Sequence, residues 1–229
     1  MLESDQMMKE PHLFLASGSP RRSFLLSAAG FPFRVGWKAV DESPFPLEQP
    51  LDYVLRMAEM KARAAQDQAG SGELILAADT TVADGELILG KPADAQEAER
   101  MLLRLRGRFH AVHTAIALYN PGEGWVATDL CSTRVPMRAY SPEEVRHYVA
   151  SGDPLDKAGA YAIQHPVFQP VESLTGCYAS VMGLPLCHVV RLLERQGYCA
   201  PENVPQACQA ALQYQCPVFA AVLRGENVG

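Results

Sequence analysis

The residues Ser17-Gly18-Ser19-Pro20-Arg21-Arg22 follow a short apolar run, Leu13–Ala16, and lead into a segment in which Phe24, Leu25, Leu26, Ala28 and Ala29 precede Gly30. Ser19 has the chemistry of a helix N-cap and Pro20 that of a first helical residue, so the amides of the first turn have no intrahelical partner. With Arg21 and Arg22 beside them, those amides form an anion site that suits a phosphate, with Ser17, Ser19 and Arg22 to hold it. A capped helix with solvated arginines would carry the same residues, and context must separate the two readings.

Residues 74–78 are continuously apolar, as in a strand buried on both faces, and the run stops at Asp79-Thr80-Thr81. A carboxylate at the end of a buried strand can act as a base, and it can equally bond local amides and cap a turn. Lys61 lies on the apolar stripe of a helix over 51–69, with Leu51, Val54, Leu55, Ala58, Ala62 and Ala65. Its ammonium either snorkels to water or reaches the rim of whatever the helix covers. Asp84-Gly85 signals a hairpin between Thr81-Val82 and Leu87-Ile88-Leu89, whose open end, Gly90-Lys91-Pro92, turns Lys91 toward Asp79. Residues 155–164 are rich in small side chains and hold an adjacent acid and base, Asp156 and Lys157, before a terminal amide, Gln164. Small residues allow close backbone approach to a ligand, although Asp156 and Lys157 also suit a local ion pair.

Helical and strand patterns alternate, which places the fold in the α/β class. Asp94 and Glu97 open a helix that Gly107 stops, and strands over 109–118 and 125–135 meet at Asn120-Pro121-Gly122. Ser141-Pro142-Glu143-Glu144 opens a capped helix ending near Ser151-Gly152, and another runs from Pro185 to Gln196 before Gly197. Residues 206–223 suggest a short apolar helix interrupted at Pro217.

With 229 residues, 48% of them hydrophobic, the chain can bury one large core or two lobes. A net charge of -6 without a basic run longer than two residues argues against a nucleic-acid polymer as partner; a mononucleotide needs only a few basic groups. The acidic start, Met1 to Glu10, has no signal-peptide core, and no segment has the length of a membrane span, so the expected location is the cytoplasm. Six cysteines without C-x-x-C spacing read as reduced thiols, and His110 and His113 would point to opposite faces of a strand rather than share a metal.

Taken in order, SGSPRR (17–22), Asp41-Glu42, Lys61-Ala62, ADTTV (78–82), GKP (90–92), LDKAGAYAIQ (155–164) and VMGLPL (181–186) resemble the Maf family of nucleoside triphosphate pyrophosphatases. The resemblance covers residues 12–197, leaving extensions over 1–11 and 198–229. It implies a fold similar to the inosine-triphosphate pyrophosphatase group: an elongated mixed sheet with flanking helices, two lobes around a nucleotide cleft, and a homodimer. The reaction it implies releases pyrophosphate and a nucleoside monophosphate from a nucleoside triphosphate, with Mg²⁺ or Mn²⁺ as cofactor.

By that resemblance Asp79 is the proton acceptor, Glu42 and Asp79 hold the cation, and Arg22, Lys61 and Lys91 hold phosphate oxygens. Asp156 and Lys157 join the cleft, while Asp41 is only a neighbour of the functional acid. Arg21, Thr80 and Gln164 match the branch of the family that acts on dTTP and UTP; the branch preferring 7-methyl-GTP has tryptophan, glutamine and glutamate there. A neutral amide can both donate to and accept from a pyrimidine edge, and modified pyrimidines such as 5-methyl-UTP fit the same logic. Departures from the family pattern are His165-Pro166 after Gln164, and Ala162 and Ala115 where glycine is common. A house-cleaning pyrophosphatase for dTTP and UTP is therefore expected. The alternatives are a pyrophosphatase for another modified nucleotide and a nucleotide-binding regulator of septum formation and cell division.

Overall fold

The computed structural model describes residues 8–229. Its strands and helices alternate early and separate late: β1 (Leu13–Ala16), α1 (Pro20–Ala28), β2 (Phe33–Gly36), α2 (Pro50–Ala64), β3 (Leu74–Asp84), β4 (Leu87–Leu89), α3 (Ala95–Leu105), β5 (Phe109–Asn120), β6 (Trp125–Pro136), α4 (Pro142–Ala150), α5 (Tyr178–Met182), α6 (Leu186–Arg195), α7 (Val204–Leu212) and α8 (Phe219–Leu223). The six-stranded sheet runs β2-β1-β3-β5-β6, with β4 added on β3. It is mixed: β1 lies parallel to β2 and β3, whereas β4 and β5 run antiparallel to β3, and β6 antiparallel to β5.

Three long strands, β3, β5 and β6, pass through both lobes. In the first lobe β1 and the start of β3 are covered on one face by Leu25, Leu26, Val189 and Leu193 from α1 and α6, and on the other by Val54, Ala58 and Ala62 from α2. In the second, the end of β3 and β4 pack with Leu102, Val145, Tyr148 and Phe168 from α3, α4 and the segment beyond. Small residues on both partners bring α2 close to the sheet: Ala58, Ala62 and Ala65 meet Ala77, Ala115 and Ala117. That closeness sets the height from which Lys61 reaches.

The structure corrects several local expectations. The strand does not end at Asp79; β3 continues to Asp84, and Asp79 sits opposite Ala115 of β5 in mid-strand. The helix over 51–69 ends at Ala64 and gives way to a short 3-10 turn, Gln66–Gln68. The hairpin loop is Gly85-Glu86 rather than Asp84-Gly85, because Asp84 still pairs with Leu87 and Gly85, at φ 66, takes the position that needs the left-handed region. Ser19 occupies the N-cap of α1 but makes no side-chain cap; its own amide donates to Ser17 Oγ at 3.2 Å. The tail forms two helices, α7 and α8, instead of one interrupted helix.

Those two helices matter because α6 is buried nearly all round, including His188 and Arg191. Arg191 donates to both Asp129 carboxylate oxygens, at 2.6 and 2.7 Å, and to the carbonyls of Val222 and Glu226, tying the tail to β6. All six cysteines are free thiols, and no helix among the described residues is long and apolar enough to cross a membrane.

His110 and His113 do face opposite ways: His110 Nε2 lies 2.8 Å from Tyr161 Oη inside the second lobe, while His113 Nδ1 lies 2.8 Å from Ser132 Oγ at the surface. Burial drops the His110 pKa from 6.5 to about 4, against a small opposing pull from Asp84. Between those two values the unfolded chain binds a proton that the folded chain refuses, so stability falls as pH falls through this window. By about pH 5 the loss from this one group is about 2 kcal/mol. Chemical denaturation at neutral pH and near pH 5 checks this: His110→Gln, which keeps an amide near Tyr161, is expected to lose about 2 kcal/mol less than wild type over the same interval.

Candidate active site

On one edge β3 has two successive partners: β1 pairs with it only as far as Leu76, and β4 only from Val82 onward. No strand pairs that edge between 77 and 81, and Asp79 sits in the middle of the gap. Because side chains alternate along a strand, Asp79 faces α2 while Thr80 faces α1. A molecule lodged against the open edge can touch both. The gap opens into a cleft of about 620 Å³ lined from both lobes, with Ser17, Arg21, Arg22, Lys61 and Asp79 on one side and Lys91, Asp156, Lys157 and Gln164 among those facing them.

On the α2 face, Lys61 Nζ lies 2.5 Å from Asp79 Oδ1 and 2.6 Å from Glu42 Oε1, so one ammonium joins the two carboxylates. Thr81 Oγ1 donates to the other Asp79 oxygen at 3.3 Å. Burial would raise the Glu42 pKa, but the hydrogen bond and charge of Lys61, with Lys91 and Arg22 behind, hold it below the usual value. Glu42 comes from the irregular segment before α2, which α2 itself anchors: Tyr53 Oη donates to the Glu42 carbonyl at 2.8 Å, and Arg56 grips Glu48 and the Ser43 carbonyl. Its neighbour Asp41 instead accepts from the Ser43 amide at 2.9 Å, which explains why only one of the pair enters the site.

On the α1 face, Arg22 donates to the Gly183 carbonyl at 2.8 Å, to Ser17 Oγ at 3.2 Å and to Thr80 Oγ1 at 3.5 Å. Burial lowers the Arg22 pKa, with Asp79 pulling the other way. Thr80 also shares a hydrogen bond with Thr114, which donates to the Ser180 carbonyl. Gly183, at φ 114, could not be replaced cheaply, since a Cβ there would fall 3.3 Å from Thr80 Oγ1. No side chain caps α1, and its first turn, Pro20 to Arg22, lines the cleft.

From the second lobe, Lys91 Nζ reaches within 3.9 Å of Glu42 Oε2, an ion contact across the cleft. Lys157 lines the cleft but is already engaged: its ammonium bonds Asp156 Oδ1 at 2.7 Å and Asp153 Oδ1 at 3.0 Å. The local ion pair is thus its geometry here. The side chains of Gln164 and Arg21 line the cleft with no hydrogen bond among the described residues.

Other lining residues, Trp37, Lys38 and Tyr53 among them, carry no motif that marked them in the sequence. Tyr53 and Lys61 are eight positions apart on one helix and so share a face, a signal that periodicity carried; burial and the Asp79 and Glu42 charges push the Tyr53 pKa up to about 12. Trp37 is 59% exposed, with its indole against the phosphate-type loop, where a Cβ on Gly18 would fall 2.8 Å from Nε1. Nothing in its local pattern marks it.

Chemically, the site joins two carboxylates able to bind a hard cation with a rim of arginine and lysine, in a protein of net charge -6. The carboxylates converge on one cation already, so the donor set fits a divalent ion.

The model of the Maf-like protein family matches residues 12–196. A protein of Geobacter sp. (strain M21) named dTTP/UTP pyrophosphatase is 49% identical over 187 residues, 81% of this chain and 96% of that one. One of the same name from Dehalococcoides mccartyi (strain ATCC BAA-2266 / KCTC 15142 / 195) is 44% identical over 82% of this chain and 84% of its own. Another, from Thermomicrobium roseum, is 43% identical over 91% and 94%. The solved Staphylococcus aureus Ham1 protein is 13% identical at a TM-score of 0.38, over 56% of this chain and 72% of that one, a likeness too slight to argue from. The matched span takes in the anion loop, the open edge of β3 and the segment carrying Gln164, and the chain belongs to the Maf-like protein family.

Proposed function

We propose that this protein hydrolyses dTTP and UTP to the monophosphate and pyrophosphate, within a unit spanning 12–197. One observation carries the reading: Asp79 and Glu42 meet on a single ammonium at the unpaired edge of β3, in a cleft otherwise rich in cations. A triphosphate laid along that edge would bring its charge to Arg22, Lys61, Lys91 and the free amides of α1, with Ser17 and Ser19 beside them. Asp79 is the proton acceptor for the attacking water, on the face opposite Thr80. Mg²⁺ or Mn²⁺, held by Asp79 and Glu42, would neutralise phosphate charge and polarise the phosphorus under attack. Lys61 then shifts its ammonium from the carboxylates to the phosphate oxygens.

Arg21, Thr80 and Gln164 select the base, Gln164 by presenting a donor and an acceptor to the pyrimidine edge. Relatives named dTTP/UTP pyrophosphatase support that choice. Free thiols throughout suit a reducing cytoplasm, and the family resemblance supports a homodimer.

Pyrophosphate release from dTTP, UTP, CTP, GTP and 7-methyl-GTP with either metal tests this directly. Turnover is expected for dTTP and UTP, with Asp79→Asn slower by about a thousandfold; preferred turnover of 7-methyl-GTP would overturn the base assignment. The metal assignment has its own test, free of turnover. Lys61→Met removes the cation that competes for both carboxylates, so Mn²⁺ binding to the nucleotide-free protein, followed by electron paramagnetic resonance, should tighten about tenfold. Glu42→Gln should weaken it, and unchanged binding in both variants would move the cation elsewhere.

A further inference from the structure

The Gln164 side chain has no hydrogen bond among the described residues, yet a base-reading amide must be held still. Its segment is not a conformation that the chain would adopt unaided. Gly159 and Ala160 are consecutively left-handed, at φ 68 and φ 60, and Ala160 carries a Cβ that disfavours this region. Such strain persists only where the surroundings over-determine it. Gly159 N donates to the Gly90 carbonyl at 3.0 Å, and the Tyr161 hydroxyl meets His110.

The next anchor is Tyr148, on α4 and 3% exposed, outside the cleft lining. Its hydroxyl accepts from the Ala162 amide at 3.0 Å and donates to Asp153 Oδ2 at 2.6 Å. Lys157 Nζ holds the other Asp153 oxygen at 3.0 Å, so the phenol cannot turn away without losing two partners. Burial, then the bond to Asp153, raises the Tyr148 pKa and keeps the proton on oxygen. The same ring meets His165 edge-on, with centroids 4.6 Å apart, and stacks on Phe168 at 4.3 Å; His165 Nδ1 in turn accepts from the Phe168 amide. Ala162 and His165 flank Gln164 in the chain, and one aromatic side chain holds both.

We propose that Tyr148, oriented by Asp153, is a positioning residue for base selection: it seats Gln164 from both sides through the Ala162 amide and the His165 ring. The proposal rests on Gln164 reading the pyrimidine, as argued above. It also assigns a use to the Asp153–Lys157 ion pair, which keeps the phenol pointing at Ala162 rather than meeting substrate.

The test uses the full chain and the ratio of kcat/KM for UTP over CTP, two nucleotides that differ at the pyrimidine edge. Tyr148→Phe keeps the ring and removes only the hydroxyl. It is expected to raise KM for UTP about tenfold, leave kcat within about twofold, and lower the UTP/CTP ratio about tenfold. Gln164→Ala should lower the ratio as far, and the double variant no further, since both act through one contact. A purely structural tyrosine predicts a lower melting temperature with the ratio intact, or losses that multiply in the double variant, and either overturns the proposal. If Tyr148→Phe does not fold, Asp153→Ala leaves the phenol in place but free to rotate, and should lower the ratio several-fold; a wild-type ratio there overturns the proposal too. An unchanged ratio in Gln164→Ala is a different failure, removing the reading of Gln164 on which this rests.

Discussion

A strand edge without a partner is costly inside a protein, because each unpaired amide and carbonyl still needs a hydrogen bond. Here β3 is paired by β1 up to Leu76 and by β4 from Val82, and the bare stretch between them is where the cleft lies. The two neighbours make this arrangement unavoidable. β1 runs parallel to β3 and turns away at Ser17 into the anion loop, while β4 folds back antiparallel and is only three residues long. The same divergence places the N-terminus of α1 at one end of the gap and Lys91, just after β4, at the other. Ligand sites of open α/β sheets form where neighbouring strands part in this manner.

Charge can be concentrated at the gap because the packing around it is small. Ala58 and Ala62 of α2 lie on Ala77 and Ala115, so Lys61 needs only its own length to reach Asp79. In the second lobe no comparable helix covers the gap; Lys91 arrives from solvent and meets Glu42 at 3.9 Å. Two acids therefore share one close ammonium, with a more distant lysine beside Glu42 and the half-buried Arg22 beyond, whose pKa falls with desolvation despite Asp79. Such a set, two carboxylates against three cationic side chains, lies near charge balance.

The chemistry of this site was more legible in the sequence than its geometry. Asp79 and Lys61 are charged residues interrupting apolar patterns, Arg22 stands at a helix start beside the anion loop, and Glu42 came only with the family resemblance; the structure gathers all four around the gap in β3. Asp79 looked terminal because the apolar run of 74–78 stops there, but β3 loses cover on one edge, not its register with β5, and so continues to Asp84. The Gly85-Glu86 turn slipped by one because Asp84 is held in the strand by Arg104 and Arg108, which no local rule anticipates. Trp37 was invisible for the opposite reason: it follows β2, and its place against Gly18 of the anion loop arises only once β2 pairs with β1 in the folded sheet.

The residues beyond 197 answer a different need. None of them lines the cleft, and what they cover is α6, whose every turn carries apolar side chains. A helix buried on nearly every side, His188 and Arg191 included, must be enclosed by other elements. Val204, Cys208 and Val222 supply that enclosure, and Arg191 fixes it through Asp129 at one end and the Val222 and Glu226 carbonyls at the other. Removing Arg191 alone would leave the Asp129 carboxylate with Arg195 at 3.9 Å and the Leu130 amide at 2.9 Å, a loss toward the low end of the about 3–5 kcal/mol that breaking an enclosed ion pair costs. α6 also closes the face of the sheet on which Thr80, Thr114 and the Ser180 carbonyl form their chain of bonds to Arg22. The tail thus bears on the site only through the rigidity of that layer, leaving the open edge of β3 free for a ligand.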